Sequence, residues 1–200
     1  MSVDGGGPGR QAERFGLDAD ARLMQEVAAG RWDRFTEIVR RHQSGMFRYA
    51  ASRMGNRTLA EEAVQEALLA AFRGRASFDA GRPFRPWLWR ILQRECGRVG
   101  AAELKHRQDA PAAEINRIAG PLEAAVAADE RAKLAALLLE LPEEQAESLR
   151  LRFFSDLGYD EIGAVQGVPA ATAKSRIRYG LAKLSERLSG TSAAAARREP

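Results

Sequence analysis

The chain has 200 residues, of which 45% are hydrophobic and 29% are charged, and its formal net charge at pH 7 is +4. This composition is typical of a soluble protein with one or two packed domains, and the slight basic excess is compatible with a nucleic-acid partner. A single cysteine, Cys96, excludes an internal disulfide, and with His42 and His106 as the only histidines none of the usual zinc sites can be assembled.

The chain begins with MSVDGGGPGRQAERFGL, a segment rich in glycine and polar side chains. It lacks the apolar stretch of a signal peptide, and the longest apolar runs of the chain, such as LAALLLEL, are too short to span a membrane. We therefore expect residues 1–17 to be disordered, and the protein to be cytoplasmic without membrane insertion.

A helical domain is predicted over residues 18–99, because apolar side chains recur there every three or four positions. The first long helix carries this spacing through Met54 and should end near Gly55. Thr58 is predicted to begin the next helix, with Glu61 completing a capping box.

A loop rich in glycine and proline is predicted at residues 75–83. It precedes a third helical segment, RPWLWRILQRECGRV, in which we expect Trp87 and Ile91 to be mostly buried. No stretch alternates between apolar and polar residues for long enough to form a sheet, so the pattern indicates an all-α fold.

The character of the sequence changes at residues 100–121, which are rich in alanine, contain two prolines and show weak periodicity. We interpret this segment as a flexible linker. Helical periodicity returns over residues 122–188, which predicts a second domain, and residues 189–200 are expected to form a flexible tail.

Two short helical segments of the second domain are joined by the sequence GVP, which is typical of a helix-turn-helix. Gly167 gives the turn its conformational freedom, and Pro169 sets the start of the following helix. That helix opens with the small residues AAT, so its end can approach a DNA groove closely. The residues predicted for its inner face are Ala173, Ile177, Leu181 and Leu184.

The charges of this domain are segregated along the chain. Acidic residues dominate positions 140–161, whereas positions 174–187 carry basic side chains and one acidic residue, Glu186. A basic helix that follows a tight turn favours contact with phosphates. Taken alone, the same pattern also fits an amphipathic terminal helix with a solvated basic face.

The stretch LPEEQAESLRLRFFSDLGYDEIGAVQGVPAATAKSRIRYGLAKL resembles the C-terminal domain of sigma-70 family transcription factors, in particular the extracytoplasmic-function (ECF) group. In the N-terminal half, AEEAVQE at 60–66 and FRPWLWRI at 84–91 are similar to sigma domain 2. The resemblance implies an all-α protein of two helical domains joined by a flexible linker, with a sigma domain 2 bundle over 18–99 and a sigma domain 4 helix-turn-helix over 122–188.

The resemblance also implies which residues meet which partner. Core RNA polymerase would bind one helix face, at Glu62, Gln65, Glu66 and Leu69, although spacing alone also fits a solvated face. The −10 promoter element would be melted and held by aromatic and cationic side chains, namely Phe78, Arg82, Arg85, Trp89, Arg90, Arg94 and Arg98. The −35 duplex would be read by Ala171, Thr172, Lys174, Ser175, Arg176, Arg178 and Tyr179.

A transcription initiation factor of this kind implies an anti-sigma partner, for which exposed apolar positions on 59–72 and 149–165 would form the contact surface. The alternative is a helix-turn-helix regulator that binds duplex DNA as a dimer without polymerase; the WLWR run beside an arginine-rich loop argues against it. The sequence contains no phosphate-binding loop and no plausible nucleophile–base pair. We therefore expect no enzyme activity, no catalytic residue, no cofactor and no metal.

Overall fold

A computed structural model describes residues 19–109, 137–138 and 140–196 of the chain. Its helices are α1 (Ala19–Ala28), α2 (Phe35–Met54), α3 (Arg57–Arg73), α4 (Phe84–Asp109), α5 (Glu143–Phe154), α6 (Tyr159–Gln166) and α7 (Ala170–Ala196), with short 3-10 turns at Trp32–Arg34 and Gly74–Ser77. The described residues contain no strand, so the predicted all-α fold is confirmed. The predicted disordered segment 1–17 lies outside the described residues.

Helices α1 to α4 form an N-terminal helical unit, and the turn between α2 and α3 shows how its sequence sets the helix ends. Gly55 follows α2 with a left-handed φ of 63°, as the sequence predicts. The start predicted for α3 was wrong by two residues, because Asn56 and not Thr58 is the N-cap. The Asn56 side chain accepts a hydrogen bond from the Leu59 amide at 3.1 Å.

Small side chains allow α3 to pack closely against its neighbours in this unit. Ala60, Ala63 and Ala67 are fully buried along the inner face of α3, next to the buried core of α2 and α4. Ile91 is buried as predicted. Trp87, by contrast, is only half-buried and packs against the periphery of the core.

Helix α4 continues through residues 100–109, which the sequence pattern had assigned to the start of a linker. The rest of the predicted linker, together with the first part of the predicted second domain, falls among residues 110–136 and lies outside the described residues. Helix α7 likewise extends to Ala196, into the segment predicted as a flexible tail. None of the described helices is both long enough and apolar enough to cross a lipid bilayer.

Helices α5, α6 and α7 form a C-terminal helical unit in which α6 and α7 are joined by the tight turn that the sequence predicts. Gly167 has a left-handed φ of 70°, and the Pro169 carbonyl accepts the first helical hydrogen bonds of α7, from Thr172 and Ala173. Gly163 on α6 is also required, because a Cβ atom there would lie 2.6 Å from the Val168 carbonyl oxygen. The turn therefore folds directly onto α6.

The inner face of α7 differs from the prediction at one position. Ala173, Ile177 and Leu184 are buried as expected, but Leu181 is exposed and Gly180 takes its place on the inner face. A Cβ atom at residue 180 would lie 2.9 Å from Leu149 Cδ1, so the glycine allows α7 to lie close to α5.

Candidate nucleic-acid interface

The outer face of α7 presents small, basic and aromatic side chains in the register that the sequence predicts. Ala171, Lys174, Arg178 and Tyr179 are exposed, and Thr172 and Ser175 are half-buried beside them. The Arg178 guanidinium lies 5.0 Å from the centre of the Tyr179 ring. This face can offer cations to phosphates and a ring to sugars or bases.

Arg176 belongs to the same predicted set, but its side chain is folded back onto α5 and α6. Its Nη2 lies 2.6 Å from Glu144 Oε2, and its Nη1 donates to Gln166 Oε1 at 3.2 Å. Gln166 Oε1 also accepts a hydrogen bond from Ser148. Arg176 can thus reach a base edge only by exchanging its carboxylate partner for DNA.

A cleft of about 890 Å³ separates the loop before α4 from the helix-turn-helix. The N-terminal unit contributes Phe78, Arg82 and Arg90 to its walls, and the opposite side is formed by α6 and the turn that follows it. Arg82 and Arg90 are exposed. Phe78 is half-buried, with its ring centre 5.0 Å from that of Trp87, so only part of the ring is open to a ligand.

Arg85 and Trp89, also predicted to contact DNA, point instead at the C-terminal unit. Arg85 Nη2 donates to the carbonyl oxygens of Ser155 at 2.8 Å and of Asp156 at 3.1 Å. Trp89 Nε1 donates to Ser155 Oγ at 2.7 Å, and only 2% of the Trp89 surface is exposed. In this arrangement the Trp89 ring cannot contact a nucleic acid, whereas 30% of the Arg85 side chain stays exposed although its guanidinium is held by the two carbonyls.

Arg94 and Arg98, the last residues of the predicted −10 set, lie on the exposed side of α4. They flank the buried carboxylate of Glu95, which lies 2.7 Å from Arg98 Nε and 3.2 Å from Arg94 Nε. The hydrogen bond from Arg98 lowers the pKa of Glu95, against the opposing effect of burial. Arg98 is also 3.1 Å from Glu66 on α3, so α3 and α4 are joined on this side of the bundle.

The four residues predicted to bind polymerase lie together on α3. Glu62, Gln65 and Leu69 are exposed and Glu66 is half-buried, while the opposite side of the helix packs into the core. An exposed face of acidic, amide and aliphatic groups can bind a partner helix with basic and apolar side chains.

A buried polar cluster was missed in the sequence analysis. Glu147 of α5 accepts hydrogen bonds from Gln93 Nε2 at 2.5 Å, from Arg53 Nη1 at 2.8 Å and from the Tyr49 hydroxyl. Glu147 lies among the buried positions of α5. An acidic residue at a buried helix position is unusual, and this is the one signal in the sequence that could have identified the cluster.

Burial in and beside this cluster changes the acidity of its neighbours. It raises the pKa of the Tyr49 hydroxyl well above its usual value, and the nearby Glu147 charge acts in the same direction. Burial also raises the pKa of the Cys96 thiol to about 11. Cys96 is therefore an unreactive thiol in this arrangement, consistent with a packing role.

A second buried pair supports the inner side of Trp89. His42 Nε2 donates to Asp20 Oδ2 at 2.7 Å, and the His42 ring packs edge-on against Trp89 with ring centres 5.6 Å apart. Arg41 Nη1 lies 2.7 Å from the other Asp20 oxygen. Trp89 is thus held by α1 and α2 on one side and by Ser155 on the other.

Comparisons with known proteins match both helical units. The Sigma-70 region 2 family matches residues 38–98, and the Sigma-70 region 4 family matches residues 131–184. The ECF RNA polymerase sigma factor SigM of Mycobacterium tuberculosis is 31% identical over 85% of this chain and 85% of its own length.

Two solved structures have a similar fold. CnrH, solved in complex with the cytosolic domain of CnrY, is 27% identical with a TM-score of 0.70 over 86% of this chain and 99% of its own. The sigma factor RpoE of Bartonella quintana, solved in complex with the anti-sigma factor NepR, is 22% identical with a TM-score of 0.57 over 78% of this chain and 96% of its own.

Proposed function

The chain belongs to the ECF group of the sigma-70 family, as a transcription initiation factor that binds RNA polymerase, and we propose that its two helical units divide promoter recognition between them. The alternative of a dimeric regulator that works without polymerase has no support, because both halves of the chain match sigma regions. We further propose that the protein acts in the cytoplasm, where its polymerase is found.

Core RNA polymerase binds the exposed face of α3 in this proposal. Glu62, Gln65 and Leu69 project from one side of a helix whose other side is fixed in the core, so the face is presented without rearrangement. Carboxylate and amide groups pair with basic and polar groups of the partner, and Leu69 adds apolar area at the centre.

The −10 element is opened next to the loop that precedes α4. Arg82 and Arg90 at the cleft attract the phosphate backbone, and Phe78 provides a ring on which an unpaired base can stack. Trp89 can add a second ring only if Ser155 releases it. Unstacking a base costs a few kcal/mol, so stacking and phosphate contacts must offset that cost. Arg94 and Arg98 extend the basic surface along α4.

The −35 duplex is read by the outer face of α7. The exposed cations Lys174 and Arg178 fix the helix on the phosphates, and Ala171 leaves space for a close approach to the groove. Thr172 and Ser175 supply short polar groups beside them, and Tyr179 supplies an exposed ring. The observation that carries the proposal is the exposed basic face of α7 on a helix-turn-helix. The other half of the same chain presents the acidic face of α3.

Transcription in vitro tests the proposal directly. Sigma-free core RNA polymerase from the source organism is incubated with a pool of genomic fragments, with and without the protein. We expect discrete start sites only when the protein is present, and these start sites define the −10 and −35 elements together. Tight duplex binding without any polymerase-dependent transcript would contradict the proposal.

A pair of charge reversals on α3 tests the polymerase contact. Glu62→Lys should abolish binding to core polymerase, whereas Glu61→Lys, one residue away and also exposed, should leave it nearly unchanged. Glu61 pairs only locally, with Arg57 Nε at 2.7 Å, and exposed pairs of that kind contribute about 0.3–0.5 kcal/mol. Equal loss in both variants would assign the effect to net charge instead of a specific contact.

We also propose that an anti-sigma factor binds both helical units. Leu69 on α3, Phe153 on α5 and Tyr159 on α6 are large apolar side chains exposed to solvent. A partner that covers Leu69 competes directly with polymerase. Phe153→Ser should therefore weaken binding of such a factor without weakening transcription by the purified protein with core polymerase. Loss of transcription in that variant would place Phe153 in the polymerase complex instead.

A further inference from the structure

The 3-10 turn between α1 and α2 carries a tryptophan that the proposed function does not use. Trp32 is 61% exposed, more than any other Trp, Tyr or Phe side chain among the described residues. Trp87 is half-buried and Trp89 is buried. A single exposed apolar side chain is common on protein surfaces, so the surroundings of the ring decide whether it marks a binding site.

Arg75 lies beside this ring and connects it to the N-terminal unit. The guanidinium carbon of Arg75 is 5.9 Å from the centre of the Trp32 ring and 4.5 Å from the centre of the Phe72 ring. Arg75 Nη1 also donates to the Phe72 carbonyl at 2.9 Å. A cation is thus held within cation–π distance of an exposed ring. We name the surface formed by Trp32 and Arg75 the Trp32 platform.

The backbone that carries Trp32 is fixed by the end of α1. Gly30 turns the chain with a positive φ of 98°, and the Arg31 amide donates to the Glu26 carbonyl at 3.0 Å. The Glu26 carboxylate lies 3.3 Å from Arg31 and 2.9 Å from Arg34, on both sides of Trp32 in the chain. The position of the ring is therefore defined by contacts within the N-terminal unit.

The Trp32 platform adjoins the loop proposed above to hold the −10 element. The Phe78 amide donates to the Arg75 carbonyl at 3.4 Å, so the two residues are the ends of one short turn. Three residues of 3-10 structure rise about 6 Å. Nucleotides of one strand are spaced about 3.4 Å apart along a duplex axis, so about two nucleotides cover that distance.

The charges around the Trp32 platform favour an anionic ligand. Its surroundings contain four basic residues and two acidic ones, a formal excess of two positive charges, namely Arg31, Arg34, Arg73 and Arg75 against Glu26 and Asp33. A nucleic-acid strand and an acidic protein segment would both be attracted by this excess. Continuity with the Phe78 loop favours the strand that the loop is proposed to bind.

We propose that the Trp32 platform is a second stacking site for single-stranded promoter DNA, and that it takes an unpaired base flanking the −10 element. This inference rests on the proposed opening of that element beside Phe78. Aromatic and guanidinium planes stack on any base, so the platform adds affinity with little sequence preference. Removal of the ring should weaken binding of a strand that reaches the platform by at least about fivefold.

Oligonucleotides of different length test this site on the assembled enzyme. Labelled non-template strands are bound to the protein with core polymerase, with the −10 motif taken from the mapped start sites. The short strand contains the motif alone, and the longer strands add four nucleotides on its 5′ or its 3′ side. One of the extensions should tighten binding by the wild type, and Trp32→Ala should lose that gain while it binds the short strand normally.

Three further variants and measurements make the test specific. Trp32→Phe keeps a ring and should retain most of the gain. Leu104→Ala, which removes a similarly exposed apolar side chain elsewhere in the N-terminal unit, should bind all strands as the wild type does. A 2-aminopurine placed in the extension should be quenched by the wild type and not by Trp32→Ala, because only a stacked base loses its fluorescence.

Several outcomes would overturn the proposal. Equal binding of every strand by the wild type and Trp32→Ala would show that no base stacks on the ring. An equal loss on the short and the extended strands, or a loss of affinity for core polymerase, would assign Trp32 to the polymerase contact instead. A loss with Trp32→Phe as large as with Trp32→Ala would also contradict stacking.

Failure of the proposed function has a different signature. A wild-type enzyme that binds no strand of any length would contradict the −10 site beside Phe78, and the inference would fall with it. A wild-type enzyme that binds the short strand and gains nothing from either extension would contradict the Trp32 platform alone.

Discussion

The start of α4 and the outer face of α7 are alike in composition and different in accessibility. Both begin beside a proline and combine arginine with aromatic side chains. On α7, Lys174, Arg178 and Tyr179 are exposed to solvent, whereas on α4 Arg85 and Trp89 are bound to the C-terminal unit. Residue type therefore indicates which groups a surface can offer to DNA, whereas the packing of the other helical unit determines whether those groups are accessible.

The difference in accessibility follows from the elements against which each helix packs. Among the described residues, helix α7 packs mainly against α5 and α6 of its own unit, through Ala173, Ile177 and Gly180, so its outer face points away from the core. The first turns of α4 lie between two units, and a large ring at residue 89 fills the gap between them. The outer face of α7 is exposed as it stands, whereas the Trp89 ring becomes accessible only after a conformational change.

The largest effect should come from a change that destroys the presentation of α7. Gly163→Ala places a Cβ atom 2.6 Å from the Val168 carbonyl oxygen, so the turn must move away from α6. We expect a loss of about 3 kcal/mol in the free energy of unfolding, more than the helix propensity gained from alanine. Urea denaturation of the wild type and the variant measures this loss in the free energy of unfolding.

Gly158→Ala is the matched control for this change, because the nearest atom to its Cβ is the Glu161 side chain at 3.6 Å and its φ is −73°. It should cost less than about 1 kcal/mol. If both glycines tolerate alanine equally, the turn does not depend on the close contact between Gly163 and Val168.

A smaller loss is expected from the support behind Trp89. Burial favours the protonated form of Asp20, but the hydrogen bonds from His42 and Arg41 outweigh it and lower the pKa of the carboxyl below 3.8. The charged form therefore stabilises the fold above about pH 4, and this stabilisation is lost as the pH falls through the folded-state pKa. Asp20→Asn should cost about 2 kcal/mol at pH 7.

Denaturation at several pH values checks both parts of that prediction. The stability curves of wild type and Asp20→Asn should begin to approach each other below about pH 4 and converge only as the pH falls through the lowered folded-state pKa of Asp20, below which the wild-type carboxyl is protonated. Asp33→Asn, an exposed aspartate in the next turn of chain, should remain within about 0.5 kcal/mol of wild type. Curves for Asp20→Asn and wild type that stay parallel to low pH would show that the charge of Asp20 is not what stabilises the fold.

The next prediction separates two basic residues on the exposed surface itself. Lys174→Ala should weaken binding to all duplex sequences evenly and reduce the salt dependence by about one charge. Arg176→Ala should cost about 1–3 kcal/mol on a promoter and relax the preference at one base pair of the −35 element, if its guanidinium leaves Glu144 to read a guanine. Titrations at several salt concentrations measure both, and an even loss from both variants would mean that α7 contacts only phosphates.

The local features of the fold were predictable because they depend on a few adjacent residues. The end of α2 at Gly55 and the turn at Gly167 follow from glycines that can adopt a positive φ. The start of α3 was less certain, since Asn56 and Thr58 are both good N-cap types and the choice depends on which side chain reaches the free amides. Such errors shift an element by a residue or two.

Features that depend on distant parts of the chain were not predictable. Leu181 was expected on the inner face of α7 because it is large and apolar, but the structure leaves it exposed and places Gly180 against Leu149 of α5. In the same way, nothing near Trp89 in the sequence indicates that Ser155 accepts its N–H. The residues of the candidate sites were proposed from the sequence, whereas the contacts of Arg85 and Trp89 with Ser155 depend on tertiary packing.

The smallest expected effect concerns Arg85 in the protein without polymerase. Because its guanidinium is bound to the carbonyls of Ser155 and Asp156, it cannot contribute to duplex binding by α7. Arg85→Ala should therefore change the affinity of the chain alone for a −35 duplex by less than about twofold, within the range of surface substitutions. Lys174→Ala, in the same titration, gives the scale of the loss that we expect from a residue that contacts DNA.

The same variant should behave differently in the assembled enzyme. If Arg85 contacts the −10 strand there, as the sequence predicts, its loss should remove a phosphate contact during promoter opening. Open-complex formation, followed by permanganate footprinting, should fall with Arg85→Ala although duplex binding by the chain alone does not. If the variant instead weakens binding by the chain alone as much as Lys174→Ala does, Arg85 is already accessible to DNA. The two surfaces would then differ in position but not in accessibility.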